Sequence, residues 1–253
     1  MRLEVVRSGI ALAALCLLAV ACSREPPSEL AAATTQRATE PKILLRGIGP
    51  GPDSLDPQKA RLIEAHAVLR DLFECLTSLG PDASPVAGAA SDWAESEDGR
   101  IYTFKLRPDL VWSNGDPLVA ADFVAGLQRL VDPATASQYA QVVDVIENAA
   151  DIIAGSKPPT ALGVEAPDAA TVIVKLTTRA QYLPGLLSHP STCPVHRATL
   201  AAAPKELTRP GKMVSNGAFT LTEWTEGASI KLTRNPRYRG NSLNLIDGVR
   251  YRI

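Results

Sequence analysis

Few residues in this sequence could carry out chemistry, and the histidines are the first to consider. His189 and His196 flank a proline-rich segment that contains Cys193, and a cysteine beside a histidine can act as a nucleophile. The prolines, however, favour a turn-rich surface loop over a catalytic pair. His66 stands alone, the histidines lack metal-ligand spacing, and no Gly-x-Ser-x-Gly elbow is present. The sequence gives no positive support for catalysis, so an exported hydrolase is only a remote alternative.

A second reactive group, the thiol of Cys22, lies at the end of an export signal. Arg2 and Arg7 precede an apolar run of roughly 13 residues, which is too short to cross a bilayer as a helix. Residues 18–22, Leu-Ala-Val-Ala-Cys, resemble the bacterial lipobox, in which the cysteine is lipidated and becomes the new N-terminus. Ala19 stands where leucine is usual. We predict a signal peptide over residues 1–21 and lipidation of Cys22, with an ordinary signal peptide cut nearby as the alternative.

The segment that follows Cys22 has the composition of a linker. Residues 22–41 are rich in proline, serine, threonine, alanine and charge, so they cannot bury enough apolar surface to fold. We predict a flexible lipoprotein tether there, which places the protein in the periplasm or cell envelope, anchored to a membrane by its lipid. The net charge of −1 provides no basic surface for nucleic acid.

Two further cysteines, Cys75 and Cys193, lie far apart in the sequence. Export makes a disulfide chemically possible, but this separation does not establish one. We expect two small buried residues, and whether they pair stays open.

The elements that must position any functional residue follow from hydrophobic periodicity. Helical spacing predicts helices over Glu64–Leu76 and Ala121–Val131, and Asp122 lies in the first turn of the second helix. Val119 stands where a capping side chain would lie, which costs about 1 kcal/mol. Runs of apolar or β-branched residues predict a buried strand at Lys42–Arg46 and further strands at Ile101–Arg107, Thr171–Leu176 and Val249–Ile253, with a hairpin formed by Gly217–Thr222 and Ser229–Thr233. The irregular interleaving indicates a mixed α/β or α+β architecture.

An ordered set of short motifs points to one family. The motifs are Ser54-Leu55-Asp56-Pro57, Arg70-Asp71-Leu72-Phe73-Glu74, Ala90-Ser91-Asp92-Trp93, Tyr102–Arg107, Trp112–Pro117, Ala120–Phe123, Asp132–Ser137, His189–Thr192, Ser215–Phe219 and Arg234-Asn235-Pro236 with Tyr238. Each motif alone is weak. Their order and spacing, from about Lys42 to Ile253, resemble the periplasmic oligopeptide-binding proteins of ABC importers, solute-binding protein family 5.

The resemblance implies a fold and a division of the chain. The fold is the periplasmic-binding-protein-like type II, class C, with only the first lobe and its inserted subdomain present. Residues 42–253 would form this N-terminal portion. Within it, about 42–75 and 200–253 would build the main lobe, and about 76–199 the inserted subdomain and the return. Family members are about twice as long, so the second lobe would be absent.

The resemblance also implies a ligand and the residues that bind it. Family members hold extended peptides largely through the peptide main chain. Arg61, Leu62 and Ile63 match a stretch whose backbone pairs with the peptide, and Tyr139 matches a tyrosine that faces the ligand. A half-buried packing tyrosine is the alternative for Tyr139. The family residue at Arg61 is often acidic, which leaves the charge preference for ligands open.

Partners and alternatives follow from the same resemblance. It implies an oligopeptide ligand, the permease subunits of an ABC importer as partners, a monomeric state, and no cofactor, metal or nucleic acid. We therefore expect a substrate-binding lipoprotein of a peptide importer, here truncated. The alternative is a lipid-anchored structural or interaction module that no longer binds peptide.

Overall fold

The computed structural model describes residues 40–253, so the predicted signal peptide, Cys22 and nearly all of the predicted tether lie outside the described residues. The described strands and helices follow in chain order: β1 (Ile43–Gly47), α1 (Ile63–Leu72), β2 (Thr77–Leu79), β3 (Pro85–Ala87), β4 (Ala90–Glu95), β5 (Ile101–Leu106), α2 (Ala120–Val131), α3 (Ala149–Ile153), β6 (Val164–Asp168), β7 (Thr171–Lys175), α4 (Leu183–Leu186), α5 (Arg197–Ala202), β8 (Phe219–Thr225), β9 (Ser229–Arg234) and β10 (Gly248–Arg252). None of the described helices is long and apolar enough to cross a membrane.

The main sheet has the order β1-β10-β9-β8 and combines strands from distant parts of the chain. β1 and β10 run parallel, while the other neighbours are antiparallel. The predicted hairpin and final strand are confirmed as β8–β9 and β10. A polar network ties the sheet to α1, because the Tyr251 hydroxyl donates to the Asp71 carboxylate at 2.6 Å and Arg46 donates to that hydroxyl at 3.0 Å.

A second, fully antiparallel sheet has the order β4-β5-β7-β6. β5 alternates as the sequence predicts, with Tyr102, Phe104 and Leu106 buried and the residues between them more exposed. α2 places Phe123, Leu127, Leu130 and other apolar residues in the core. Both elements follow from their hydrophobic period, which matches the face that each one buries.

The start of α2 depends on a buried carboxylate. Asp122 accepts the N–H of Val119 at 3.1 Å and the indole N–H of Trp112 at 3.2 Å, and it pairs with Arg197 at 2.7 Å. Valine cannot return the hydrogen bond, so the reciprocal half of the capping box is lost, as predicted. The contacts with Trp112 and Arg197 give the carboxylate further donors, which the sequence pattern did not reveal.

Two predictions from the sequence are wrong, and one open question is answered. β1, an edge strand of the main sheet, is exposed along its whole length rather than buried, because its side chains are left uncovered on both faces of the sheet. The segment from Pro190 to His196 is buried, and it is not a surface loop. Cys75 and Cys193 are buried as expected, and their pairing, which the sequence left open, is a disulfide with the two Cα atoms 4.3 Å apart. All three features depend on long-range contacts that local patterns do not encode.

Candidate ligand segment and its supports

The predicted ligand residues lie on a short segment that leads into α1. We call residues 60–63 the ligand segment. Leu62 has the extended backbone angles φ −86° and ψ 148° and is 39% exposed, while Ile63 begins α1 and is 76% exposed. The side chain of Arg61 is 62% exposed. The segment therefore presents an extended backbone and two aliphatic side chains to solvent, while its first residue, Ala60, is buried.

Asp53 holds the segment from one side. Its carboxylate accepts the backbone N–H groups of Arg61 at 3.1 Å and Leu62 at 3.2 Å, and it also accepts Nε–H of the Arg61 side chain at 2.9 Å. Burial alone would raise the pKa of Asp53, but these donors outweigh it and lower the pKa of this carboxyl below its usual value. The carboxylate therefore stays charged over the physiological pH range and fixes two consecutive amides.

Tyr139 holds the segment from another side. Its hydroxyl donates to the carbonyl oxygen of Arg61 at 3.1 Å, although the two residues are 78 positions apart. The structure thus brings together all the residues that the resemblance indicated: Arg61, Leu62, Ile63 and Tyr139. Tyr139 is half-buried, so it has both a packing role and an accessible edge.

The loop that leads into the segment rests on a buried ion pair. Arg129 of α2 donates both terminal nitrogens to the Asp56 carboxylate at 2.6 Å and also donates to Oε1 of Gln58 at 2.7 Å. The Arg129 and Asp56 side chains are 12% and 8% exposed. A bidentate pair at this burial fixes the loop in one orientation.

Gln58 extends this support to a distant part of the chain. Its amide group donates to the carbonyl oxygens of Ser191 at 3.2 Å and Cys193 at 2.9 Å. Gln58 is fully buried and uses both ends of its amide. The sequence analysis missed Gln58 and Arg129, because nothing in their local pattern shows that they meet.

Two histidines lie behind Tyr139. The rings of His66, Tyr139 and His189 form a triangle with centroid separations of 4.7–4.9 Å. Burial, reinforced by His66 and Arg70, lowers the pKa of His189 to about 4, and burial also lowers the pKa of His66. Both rings are therefore neutral at neutral pH. His66 can donate Nε2–H to the Ala60 carbonyl at 3.4 Å, and His189 accepts at Nδ1 from Ser191.

A separate cavity of about 180 Å³ lies beside the C-terminal end of α1. Its lining includes Arg70, Phe73, Glu74 and Tyr238. Glu74 pairs with Arg239 and accepts the Tyr238 hydroxyl at 3.2 Å, and burial together with this carboxylate raises the pKa of Tyr238 to about 12. These polar groups satisfy one another, which fits a structural role.

The ligand segment can bind but offers no chemistry. Among residues 40–253, no three histidine, cysteine, aspartate or glutamate side chains come together to hold a metal ion. What the segment offers is main-chain hydrogen bonding. The N–H of Ile63 has no hydrogen-bond partner among the described residues, and the Arg61 carbonyl keeps one of its two acceptor positions. This arrangement fits an extended chain laid against the segment.

Comparison with known proteins decides the family. The family model described as "Bacterial extracellular solute-binding proteins, family 5 Middle" matches residues 84–253. The chain belongs to this family. Membership in family 5 places it among binding proteins rather than enzymes, which removes the hydrolase alternative. The family resemblance inferred from the motifs is thereby confirmed.

Relatives in family 5 agree with the fold. The periplasmic oligopeptide-binding protein OppA of Escherichia coli is 39% identical over 250 residues, which cover 98% of this chain and 45% of OppA. The structure of the Escherichia coli murein tripeptide binding protein MppA matches with a TM-score of 0.81 at 37% identity, covering 84% of this chain and 42% of MppA. Haemophilus influenzae OppA in complex with RPPGFSPFR matches with a TM-score of 0.81 at 35% identity, and the match covers 84% of this chain and 42% of that OppA chain.

These figures establish the fold class and the extent of the match. The mixed α/β fold is that of periplasmic peptide-binding proteins, as predicted. The chain spans about half the length of the curated relatives it matches.

Proposed function

We propose that this chain provides a peptide-binding surface of a solute-binding protein that serves an ABC importer. An extended oligopeptide lies along the ligand segment and pairs with it through main-chain hydrogen bonds. Recognition through the main chain tolerates different side chains, which suits a protein that captures many peptides. Tyr139 contacts the ligand with its accessible edge while its hydroxyl holds Arg61.

One observation carries this proposal: the ligand segment is exposed and yet firmly held. Its backbone is fixed by Asp53 and Tyr139 before any ligand arrives. A segment already held in the bound conformation loses little entropy on binding, so more of the contact energy remains for affinity. Relatives support the proposal, since Haemophilus influenzae OppA was solved with RPPGFSPFR and Listeria monocytogenes OppA bound to peptide.

Titration calorimetry of the purified chain with a mixture of tri- to pentapeptides tests this function. We expect measurable heat and a dissociation constant on the order of 1 mM, about −4 kcal/mol, because the segment contacts the ligand from one side only. An absence of heat at millimolar peptide would exclude peptide binding by this chain.

A substitution at position 63 tests the proposed main-chain hydrogen bond directly. Ile63→Pro removes the free N–H, and proline is well tolerated at the first residue of a helix. Leu62 already has the extended backbone that a following proline favours. We expect Ile63→Pro to weaken binding about five-fold, the worth of one hydrogen bond of about 1 kcal/mol. Ile63→Ala, which keeps the N–H and loses only the side chain, is the matched control and should change affinity less.

We further propose that the protein acts in the periplasm as a lipoprotein. Cys22 receives the lipid, residues 22–41 form the tether, and residues 42–253 divide into a main lobe and an inserted subdomain. Its partners are the importer permease subunits, and it is monomeric. Metabolic labelling with an alkyne fatty acid tests the anchor: label on the wild type and none on Cys22→Ser is expected. Equal label on both proteins would contradict it.

A second candidate function rests on β1. This edge strand exposes Ile43, Leu44 and Leu45 to 44%, 44% and 57%, and it pairs with only one neighbour among the described strands. Such an edge can pair with another chain. In this alternative the protein is an anchored interaction module and the ligand segment is idle, so the peptide titration would give no heat.

A further inference from the structure

A disulfide-bonded segment lies directly behind the ligand segment. Residues 189–193 begin with His189, whose ring packs against Tyr139 at a centroid distance of 4.7 Å and against His66 at 4.7 Å. The other end carries Cys193, which is joined to Cys75 just beyond α1. Ser191 and Thr192 between them are fully or almost fully buried. We call residues 189–193 the backing segment.

The backing segment contacts three residues that support the ligand segment or the loop before it: Gln58, His66 and Tyr139. Gln58 binds two of its carbonyl groups and shares Arg129 with Asp56. His66 of α1 packs on its histidine and reaches Ala60, the first residue of the ligand segment. Tyr139 stands on that same histidine ring and reaches the carbonyl of Arg61. Three separate routes therefore lead from the backing segment to residues 58–61.

We propose that His189 is a positioning residue for the ligand segment, and that the Cys75–Cys193 disulfide sets its place. The ring of His189 supports the Tyr139 ring, and Tyr139 in turn holds the carbonyl of Arg61. This inference rests on the proposed peptide-binding role of the ligand segment. The disulfide then serves the binding surface as well as the stability of the fold.

The covalent link matters because of what it joins. Cys75 follows α1, whose first residue ends the ligand segment, and Cys193 ends the backing segment. The disulfide therefore fixes the distance between the helix that carries the ligand segment and the ring that supports Tyr139. Cys75 Sγ also lies 3.4 Å from the carbonyl oxygen of His189, so the cysteine that follows α1 is close to both ends of the backing segment.

Hydrogen exchange of the Arg61 and Leu62 amides tests this role without requiring a ligand. Both amides donate to Asp53, so their exchange reports whether the ligand segment is held. In the Cys75→Ala/Cys193→Ala double variant we expect exchange at these amides to rise about ten-fold. Val174→Ala, a core variant in the second sheet, lowers global stability away from the segment and should leave these two amides near their wild-type rates. Unchanged rates in the double variant would overturn the role of the disulfide.

Variants of His189 test the ring itself. His189→Ala should raise exchange at the same amides and weaken peptide binding about five-fold. His189→Phe keeps an aromatic ring of similar size and should restore both, which a role through the ring nitrogens would not allow. Equal exchange in the wild type and His189→Ala would overturn the proposal.

The two proposals fail in different ways. If the wild type gives no heat with the tri- to pentapeptide mixture, the proposed function fails, while the exchange rates still decide the positioning role. If the wild type binds peptide but His189→Ala binds equally well, the positioning role fails alone.

Discussion

The ligand segment and β1 both expose aliphatic side chains, but they are held very differently. β1 bonds along one edge to β10, and Arg46 anchors it to Tyr251. The ligand segment contacts Asp53, Tyr139 and His66, and behind these lie an ion pair and a disulfide. Exposure alone therefore does not identify a binding surface. A surface that is exposed and also fixed by buried polar contacts is the better candidate, because a segment already held in one conformation loses little entropy when a ligand binds.

The largest difference should follow from removing the disulfide. It closes a loop with a sequence separation of 118, and a crosslink of this span stabilises a fold by about 4–5 kcal/mol in the chain-entropy model. We expect Cys75→Ala/Cys193→Ala to lower the free energy of unfolding by that order, measured by urea denaturation. A loss below about 1 kcal/mol would show that the backing segment is held mainly by its hydrogen bonds.

Removing the buried ion pair between Arg129 and Asp56 should have the next largest effect on the free energy of unfolding. Arg129→Met leaves Asp56 charged and buried without its partner, which costs about 3 kcal/mol. The matched change in the β1 region is Arg46→Met, where the arginine side chain is 43% exposed, and we expect a loss of about 1 kcal/mol or less. Equal losses in denaturation experiments would remove the contrast between the two regions.

Acid should weaken the region of the ligand segment through its histidines. The pKa of His189 falls to about 4 in the fold, against about 6.5 in the unfolded chain, so the unfolded state binds a proton first. This contribution to stability is complete above about pH 6.5 and is lost as the pH falls from there to about 4. His66 and Arg70 face the same ring and add repulsion once it is protonated. Between pH 4 and 7, the denaturation midpoint should change less with pH in His189→Phe than in the wild type.

The hydroxyl of Tyr139 should have a smaller effect. Tyr139→Phe keeps the ring against both histidines and removes only the hydrogen bond to the Arg61 carbonyl. We expect a loss of about 1 kcal/mol in stability and weaker peptide binding by about five-fold. Calorimetry that shows full affinity in this variant would mean that Asp53 alone holds the segment.

The smallest effect should come from the face of β1. Leu45 is 57% exposed, so Leu45→Ser should change stability by about 0.5 kcal/mol or less and leave peptide binding unchanged. A clear loss of peptide binding in this variant would indicate that peptide binds at β1 and not at the ligand segment.

The sequence predicted much of the local structure and little of what supports the site. Hydrophobic periodicity predicted the bounds of α2 to within one residue and the buried face of β5, because burial on one face dictates the pattern. It could not show that β1 lies at a sheet edge or that Pro190–His196 is buried, since both depend on neighbours elsewhere in the chain. The residues that support the segment were not predicted for the same reason. Gln58 contacts Arg129, 71 positions away, and Cys193, 135 positions away. The positions of Arg61, Leu62, Ile63 and Tyr139 came from the family resemblance, and their role stays a prediction.

One measurement addresses the central claim that the ligand segment is a preformed peptide-binding surface. Amide hydrogen exchange of the wild-type chain is recorded with and without a saturating mixture of tri- to pentapeptides. We predict that peptide slows exchange at Ile63, whose N–H is free in the structure, while Arg61 and Leu62 are already slow without ligand. Protection confined to β1, or no protection anywhere in residues 40–253, would contradict the account.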